Sequence, residues 1–540
     1  MYNTHKHAQY INFFDTHKLW ILEERESKYF GWAALITNGT RESKVYIGNA
    51  VSINPIAIND IITSIIISDA PQGSKIKKHL KKKAFSSENM TPLALCYVVA
   101  KFYGVEALAT LFCKPSFLTQ LNYKEQLELY YLVNNAQQVV LLYENNKDKV
   151  FTLQCYERIY DAYTRLGQLK FAEGVFLEAD ELYAPLKNVI SAEINPNAIN
   201  NKLERQYWFA KGDFVRAFHA YKRQQLSQVL YVSFEDKYTQ ELEDIINAKS
   251  PLVLASWGLG DEIRFSRLYN LLTKLNPSIT ISCEPRLYEL LSLRFPEVKF
   301  ISTGRTYRVT ENDSEAYNKL PHDKLHHLMD NALLYELEQF DKVTIVTDLT
   351  SQLFDDYLQN RKTIDVRHPS SVLSSSFIDE VKKIREKNKT IIGLSWRSSI
   401  ETIVRNEHCF QLQELEPLFK LENVAFVILQ YGDYSKEVER IKTNYNVDTS
   451  LLNDFSGVYD VMQHLDIIVS TGSTVLELAG LSGIKTFALT NVPHFKSRVQ
   501  KDNHDLWFPS IEYIDDMTHL NKVELVDKIA KKIEALDGCF

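Results

Sequence analysis

The sequence predicts an α/β chain: two consecutive Rossmann-like, doubly wound halves, preceded by an α-helical repeat region and a small mixed α/β region. Three observations carry this. From Pro251 onward, short β-branched runs alternate with amphipathic stretches, the signature of a parallel sheet wrapped by helices. A break rich in Ser and Pro, Arg367–Ser376, splits that alternation into two series. Between about 121 and 248 the period is helical, and a glycine-centred spacing recurs.

Composition bounds the function classes. The chain has 540 residues, enough for about three or four domains with real cores. With 45% hydrophobic and 24% charged residues it reads as a globular protein rather than a disordered one. A net charge of -7 argues against a general nucleic-acid binder, although Lys75–Lys83 is a local basic run. The six cysteines (Cys96, Cys113, Cys155, Cys283, Cys409 and Cys539) are scattered, with no CxxC pair, so neither a zinc site nor a disulfide framework is written here. The polar start, Met1-Tyr2-Asn3-Thr4-His5-Lys6-His7, lacks the apolar core of a secretory signal. Its longest apolar stretch, Pro92–Cys113, is interrupted by Lys101, Gly104 and Glu106, too often for a membrane span. A cytoplasmic location without a membrane span is therefore expected.

Residues 1–120 are the least legible. Trp32–Thr37, a turn around Asn38-Gly39-Thr40, and Lys44–Gly48 predict a β-hairpin, and 92–113 predicts a helix. Asn38-Gly39-Thr40 also matches a glycosylation acceptor, a reading that a chain without a signal sequence disfavours. Over 121–248, Gly167 stands among Tyr163, Ala172, Phe176 and Ala179, with Pro185 closing the segment; Gly212 stands among Trp208, Ala217 and Tyr221. In each group the glycine permits a tight turn between helices, the alanine lets them approach, and the aromatic fills the groove. The pattern is similar to the second half of a tetratricopeptide (TPR) unit, twice, or to a generic bundle of helical hairpins. The glycines lie 45 residues apart, against about 34 in a regular array, which implies an insertion around Asn195–Asn201.

The first half, 249–375, should place strands at Leu252–Ser256, Ile279–Glu284, Val298–Ser302 and Lys342–Asp348. The second, 376–540, should place them at Thr390–Trp396, Val424–Gln430, Ile467–Ser470 and Thr486–Thr490. Two such halves imply a cleft, and ligands of doubly wound sheets bind beyond the carboxyl ends of the strands. After the first strand comes Ser256-Trp257-Gly258-Leu259-Gly260-Asp261-Glu262, a tight turn into a helix whose early Asp261 could face the cleft or simply cap the helix. No third glycine arrives to complete GxGxxG. In the second half Arg397 stands just past a buried strand, with the planar, forked donors that suit phosphate. Ser470, Thr471, Gly472, Ser473 and Thr474 form a polar turn at a helix start, an anion site by hydroxyls and N–H groups. Glu477, four residues after Ser473, shares its helix face and could accept two ribose hydroxyls; an ordinary capped helix is the other reading. Gln430, Tyr431 and Gly432 end a strand and could read a nucleotide base, or simply terminate the strand.

Together Gly258–Phe265, Gly393–Ser398, Val427–Gly432 and Ser470–Gly483 resemble the GT-B glycosyltransferases related to bacterial heptosyltransferases, in the branch carrying tetratricopeptide repeats in front, similar to O-GlcNAc transferase and some flagellin-modifying enzymes. The resemblance covers roughly 121–515. It implies a nucleotide-sugar donor bound by the second half, with Gly260 and the residues of the 430–432, 470–474 and 477 positions on the donor side. Asp261 then maps onto the acidic catalytic residue, with His408 as second choice for the base. Arg397 maps onto a cation, usually lysine, that steadies the departing phosphate. The family's Asp-Thr-Gly-Pro-x-His block is replaced by Thr471-Gly472-Ser473-Thr474-Val475-Leu476-Glu477, with Glu477 where histidine is usual, which sets a heptose donor in question. No cofactor or metal is expected; the carboxylate pairs Asp355-Asp356 and Asp515-Asp516 are the sites a metal would otherwise take, and Arg405 with His408 could form a charged lid or a solvated loop.

With the composition and the helical repeats, the resemblance implies a cytoplasmic, metal-independent transferase that moves a sugar to a hydroxyl, on a protein such as flagellin held by the repeats. Two rivals stand beside it. One is a transferase for surface polysaccharide or lipopolysaccharide, and the other is a TPR scaffold whose GT-B half has lost catalysis.

Overall fold

The computed structural model describes residues 9–13, 17–21, 32–38, 41–48, 113, 115–119, 121–183, 202–256, 258–306, 309, 314–360, 383–386, 390–398, 409–431, 445–446, 454–500 and 502–537. The Lys75–Lys83 run, the expected helix at 92–113 apart from Cys113, the insertion at 195–201, the 367–376 break, Arg405, His408 and Gly432 lie outside them. The chain divides into two compact units, one up to Val175 and the other from Phe176 onward.

In the first unit, β1 (Gln9–Phe13) pairs antiparallel with β2 (His17–Ile21). The expected hairpin is present: β3 (Trp32–Asn38) pairs antiparallel with β4 (Arg41–Gly48), Asn38 opposite Arg41. Helices Tyr123–Leu132, Ala136–Glu144 and Leu153–Arg165 follow. Each has a side-chain cap at its start, from Asn122, Asn135 and Thr152. Gly167 turns the chain into the next helix with φ +71, and in the second unit Gly212 does the same between Lys202–Lys211 and Phe214–His219 with φ +74, as the spacing predicted. A third turn of this kind was not predicted. Asn134 takes φ 57 between two helices, 33 residues before Gly167, because asparagine is the residue other than glycine that enters the left-handed region most cheaply.

The second unit carries two parallel sheets. The first is ordered β7-β6-β5-β8, from β5 (Pro251–Leu254), β6 (Thr280–Cys283), β7 (Lys299–Ser302) and β8 (Lys342–Ile345). The second is ordered β11-β10-β9-β12-β13-β14, from β9 (Thr390–Ser395), β10 (Val424–Ile428), β11 (Tyr445–Asn446), β12 (Ile467–Thr471), β13 (Thr486–Leu489) and β14 (Ile511–Glu512). All eight expected strands form, and every pairing is parallel. β5, β6, β9, β12 and β13 are buried along their whole length, the condition of strands covered on both faces. Each order reverses direction beside its first strand, between β5 and β8 and between β9 and β12. Those are the topological switch points at which ligands of such sheets bind.

One hydrophobic core runs through both sheets. Val253, Phe265 and Phe354 belong to it with Ile392, Val469 and Trp507, and so do Phe218, Tyr221 and Ile245 from the helical segment before β5. Around Trp507 the rings of Phe218, Phe265 and Phe354 stand 5.3–5.5 Å away, and Tyr357 Oη donates to the Trp507 carbonyl. A chain beginning at Ser250 would strip Phe218, Tyr221 and Ile245 from that core.

Lys342–Asp348, expected as one strand, changes to helix at Val346, which buries Asp348 in the first turn of helix Val346–Asn360. Its carboxylate accepts from Ser227 Oγ at 2.7 Å, Tyr238 Oη at 2.7 Å and Gln224 Nε2 at 3.4 Å. Burial pushes the Asp348 carboxyl from 3.8 up to about 7, against those three hydrogen bonds and the more distant Lys222 charge. A folded-state value above the unfolded one favours the native state most below the unfolded value, and the benefit is lost as pH rises to about 7. Asp348→Asn, which stays neutral, should therefore gain stability relative to wild type between about pH 4 and 7, by a few kcal/mol in all. Melting curves across that range test it; a constant difference would mean that the carboxyl ionises there as it does in water.

Candidate active site

The second switch point collects most of the residues singled out on the donor side. Ser395 pairs with Ser470, so the chain leaves β9 toward Trp396 and Arg397 beside the place where it leaves β12 toward Gly472. The Thr471–Ser473 turn is tight, with Ser473 N–H donating to the Thr471 carbonyl at 2.7 Å. A Cβ on Gly472 would stand 2.2 Å from the ring of Phe495, so any other residue there would force that ring to move. Helix Thr474–Ser482 starts at once and ends at Gly483, φ 76.

The hydroxyls of this turn divide. Ser470 donates to the neighbouring Thr471 carbonyl at 3.1 Å and is spent within the chain. Ser473 occupies the N-cap position without capping, and its Oγ is buried with no hydrogen-bond partner among the described residues. Ser395 Oγ at the end of β9 and Ser256 Oγ just beyond β5 are in the same condition. A buried hydroxyl without a partner forfeits hydrogen bonding it had in water. The three stand at or just past the ends of β5, β9 and β12, strands that border the two switch points.

Gln430 serves differently from the expected base contact. Its Oε1 accepts from the Trp396 and Arg397 N–H groups at 3.0 Å each, and its Nε2 donates to the carbonyls of Arg397 at 2.8 Å and Tyr431 at 2.9 Å. That amide holds the strand end that presents Arg397. Tyr431 keeps a buried phenol with no hydrogen-bond partner among the described residues, and burial followed by the Asp454 charge raises its ionisation well beyond the neutral range.

The first half meets this turn through Gly260. A Cβ there would lie 3.1 Å from Glu477 Cγ and 3.6 Å from Thr474 Cα, so glycine lets helix Leu259–Phe265 approach helix Thr474–Ser482. Asp261 is the third residue of its helix rather than the cap; it reaches back to accept from the Gly258 N–H at 3.3 Å. It also accepts from Arg264 Nη1 at 3.1 Å.

Glu477, expected at a ribose, has both oxygens occupied. Arg264 donates Nη2 to Oε1 at 2.5 Å and Nε to Oε2 at 3.3 Å; Arg498 donates Nη1 to Oε1 at 2.6 Å and Nη2 to Oε2 at 3.1 Å. Burial works to raise the Glu477 carboxyl, but the two guanidinium groups outweigh it and hold it below its ordinary value. Arg498 Nε continues to Asp505 at 2.9 Å, and Asp505 also accepts from the N–H groups of Trp507 and Phe508 and from Tyr513 Oη. Arg264, Arg498 and Asp505 were not singled out in the sequence. Arg264 alone left a trace, three residues after Asp261 on the same short helix.

Asp355 and Asp356 are exposed on helix Val346–Asn360, and Asp515 and Asp516 are exposed as well. No group of three or more His, Cys, Asp or Glu side chains among the described residues is placed to hold a metal ion. Among the same residues, no helix is long and apolar enough to cross a membrane.

No protein-family model matches the chain. Protein FlbA of Caulobacter vibrioides is 22% identical over 275 residues, which cover 49% of this chain and 43% of FlbA. The chain thus spans less than half the length of that curated relative. Among solved structures, a glycosyl transferase family 9 protein from Veillonella parvula is similar over 54% of this chain and 98% of its own, at 11% identity and TM-score 0.35. E. coli ADP-heptose lps heptosyltransferase II is similar over 54% and 99%, at 14% identity and TM-score 0.31.

Proposed function

We propose that the chain is a glycosyltransferase that moves a sugar from a nucleotide-sugar donor to a hydroxyl, with the donor phosphates at the second switch point and Asp261 supplied by the first half. The observation that carries the reading is the β9–β12 edge. There an arginine and a helix-opening turn leave neighbouring strands, and the turn keeps a buried hydroxyl, on Ser473, with no partner among the described residues. When a sugar leaves a nucleotide, negative charge grows on the phosphate, and preorganised donors at that point lower the barrier. Arg397, the Ser473 hydroxyl and the N–H groups opening helix Thr474–Ser482 would supply them. The acceptor hydroxyl must lose a proton during attack, and Asp261 follows Gly260, whose backbone approaches Thr474 at the start of the helix after the phosphate turn. The reaction so described needs no metal.

The acceptor in this reading is a protein such as flagellin. Its support is the helical region. Left-handed turn residues at Asn134 and Gly167 are 33 apart, close to the period of about 34 in tetratricopeptide arrays, whose concave faces bind extended peptides.

A panel of UDP-, ADP-, GDP- and CMP-sugars tests the donor site, because a ligand of the native state raises its melting temperature by mass action. Arg397→Ala should then weaken binding of the stabilising donor and lower its turnover by about 100–1000-fold, the usual loss on removing one such donor. Unchanged affinity and rate in that variant would remove the phosphate from this edge.

A further inference from the structure

We propose that Glu477 is a positioning residue: through Arg264 it reaches across from the second half and sets the candidate base Asp261 of the first. This rests on the reading of Asp261 given above.

The geometry is a relay of fixed forks. A guanidinium is planar and rigid, so gripping one edge fixes where the remaining N–H groups point. Glu477 takes Nε and Nη2 of Arg264, at 3.3 and 2.5 Å, and this leaves Nη1 aimed at Asp261 Oδ1, 3.1 Å away. Glu477 is itself pinned from the other side by Arg498, which Asp505 holds in turn. Asp261 thus receives its orientation from residues more than 200 positions later in the chain.

The charges point the same way. The chain Asp261–Arg264–Glu477–Arg498–Asp505 contains three carboxylates and two guanidinium groups, so one negative charge is in excess. Side-chain exposure is 5% for Glu477 and 0% for Asp505, but 31% for Asp261. Exposed surface tolerates unbalanced charge far better than the interior does, so the excess belongs at Asp261, the end of the chain that a substrate can reach. Glu477 also contends with Asp261 for Arg264. With Glu477 neutral, the whole guanidinium would be available to Asp261 and would draw it out of position. Glu477 and the phosphate turn share one short helix, so donor site and base are tied to the same rigid element.

Placing Glu477 on the ribose instead makes a different forecast, which separates the two. Nucleotide affinity is read by calorimetric titration of UDP, ADP, GDP and CMP, and kcat by hydrolysis of the panel donor that stabilises the protein. Glu477→Gln should lower kcat by about 10–100-fold, as misplacement of a reacting group by about 1 Å does, with nucleotide affinity changed less than about twofold. Arg264→Gln, which leaves the Glu477–Arg498 pair whole, should give the same loss, and the double variant should be no worse than either single one. Weakened nucleotide binding at unchanged kcat in Glu477→Gln would overturn the proposal in favour of a ribose contact, and losses that multiply in the double variant would overturn the relay. If Glu477→Gln does not fold, Arg264→Gln decides alone, and an unchanged kcat there ends the proposal. Asp261→Asn keeps the two questions apart: an inactive Asp261→Asn beside a fully active Glu477→Gln removes only the relay. A fully active Asp261→Asn removes the base, and turnover of no panel donor removes both.

Discussion

Asp261→Asn should lower turnover by about 100–10,000-fold, the usual contribution of a positioned general base, with donor affinity and melting temperature near those of the wild type. The Asp261 carboxylate holds two structural contacts. It accepts from the Gly258 N–H at 3.3 Å and from Arg264 at 3.1 Å. Asparagine retains one acceptor oxygen, which can keep the bond to Gly258, so the cap-like role survives the substitution. The ion pair with Arg264 is lost, yet Arg264 remains gripped by Glu477, so no guanidinium is left alone in the interior. Stability and catalysis are thereby separated at this position. A well-folded Asp261→Asn protein with full turnover would exclude the base role and pass it to His408.

The strands were legible because a parallel strand covered on both faces has to be a short apolar run, and a run such as Thr390–Ser395 announces itself. β11 and β14, two residues each, carry too few side chains for any periodicity to register. The switch-point turn could be read for a related reason. It lies within the same unbroken stretch of sequence as its strand and helix, and local chemistry is enough to describe it. The Asn134 turn escapes a glycine-centred pattern because the physical requirement is a positive φ, which asparagine also meets.

What sequence order hides is pairing at a distance. Arg264 and Glu477 are 213 residues apart, and Glu477 read alone, four residues after Ser473, is indistinguishable from a carboxylate waiting for a ribose. Gln430 is ambiguous in the same way. Its place at a strand end suggested a ligand contact, while its four hydrogen bonds all return to the chain at Trp396, Arg397 and Tyr431. A polar residue at a strand end can serve either a ligand or the backbone, and only the fold shows which is nearer.

The buried charge chain makes the second large forecast. Asp505 is fully buried, and its two oxygens accept from Arg498 Nε at 2.9 Å, from the Trp507 and Phe508 N–H groups at 2.8 and 3.1 Å, and from Tyr513 Oη at 2.8 Å. Asp505→Ala would leave one N–H of Arg498, two backbone N–H groups and a phenol without acceptors in an interior that admits little water. Removing one partner of a buried ion pair costs about 3–5 kcal/mol, because the charge left behind keeps its desolvation penalty. The loop that Asp505 organises also carries Trp507, against which Phe218, Phe265 and Phe354 pack, so the damage should spread into the core shared by both sheets. A large fall in melting temperature is therefore expected. Asp505→Asn, which keeps the shape and one acceptor oxygen, should fall less. Melting temperatures of the two variants side by side test the argument, and equal, small shifts in both would mean that Arg498 finds its balance in Glu477 alone.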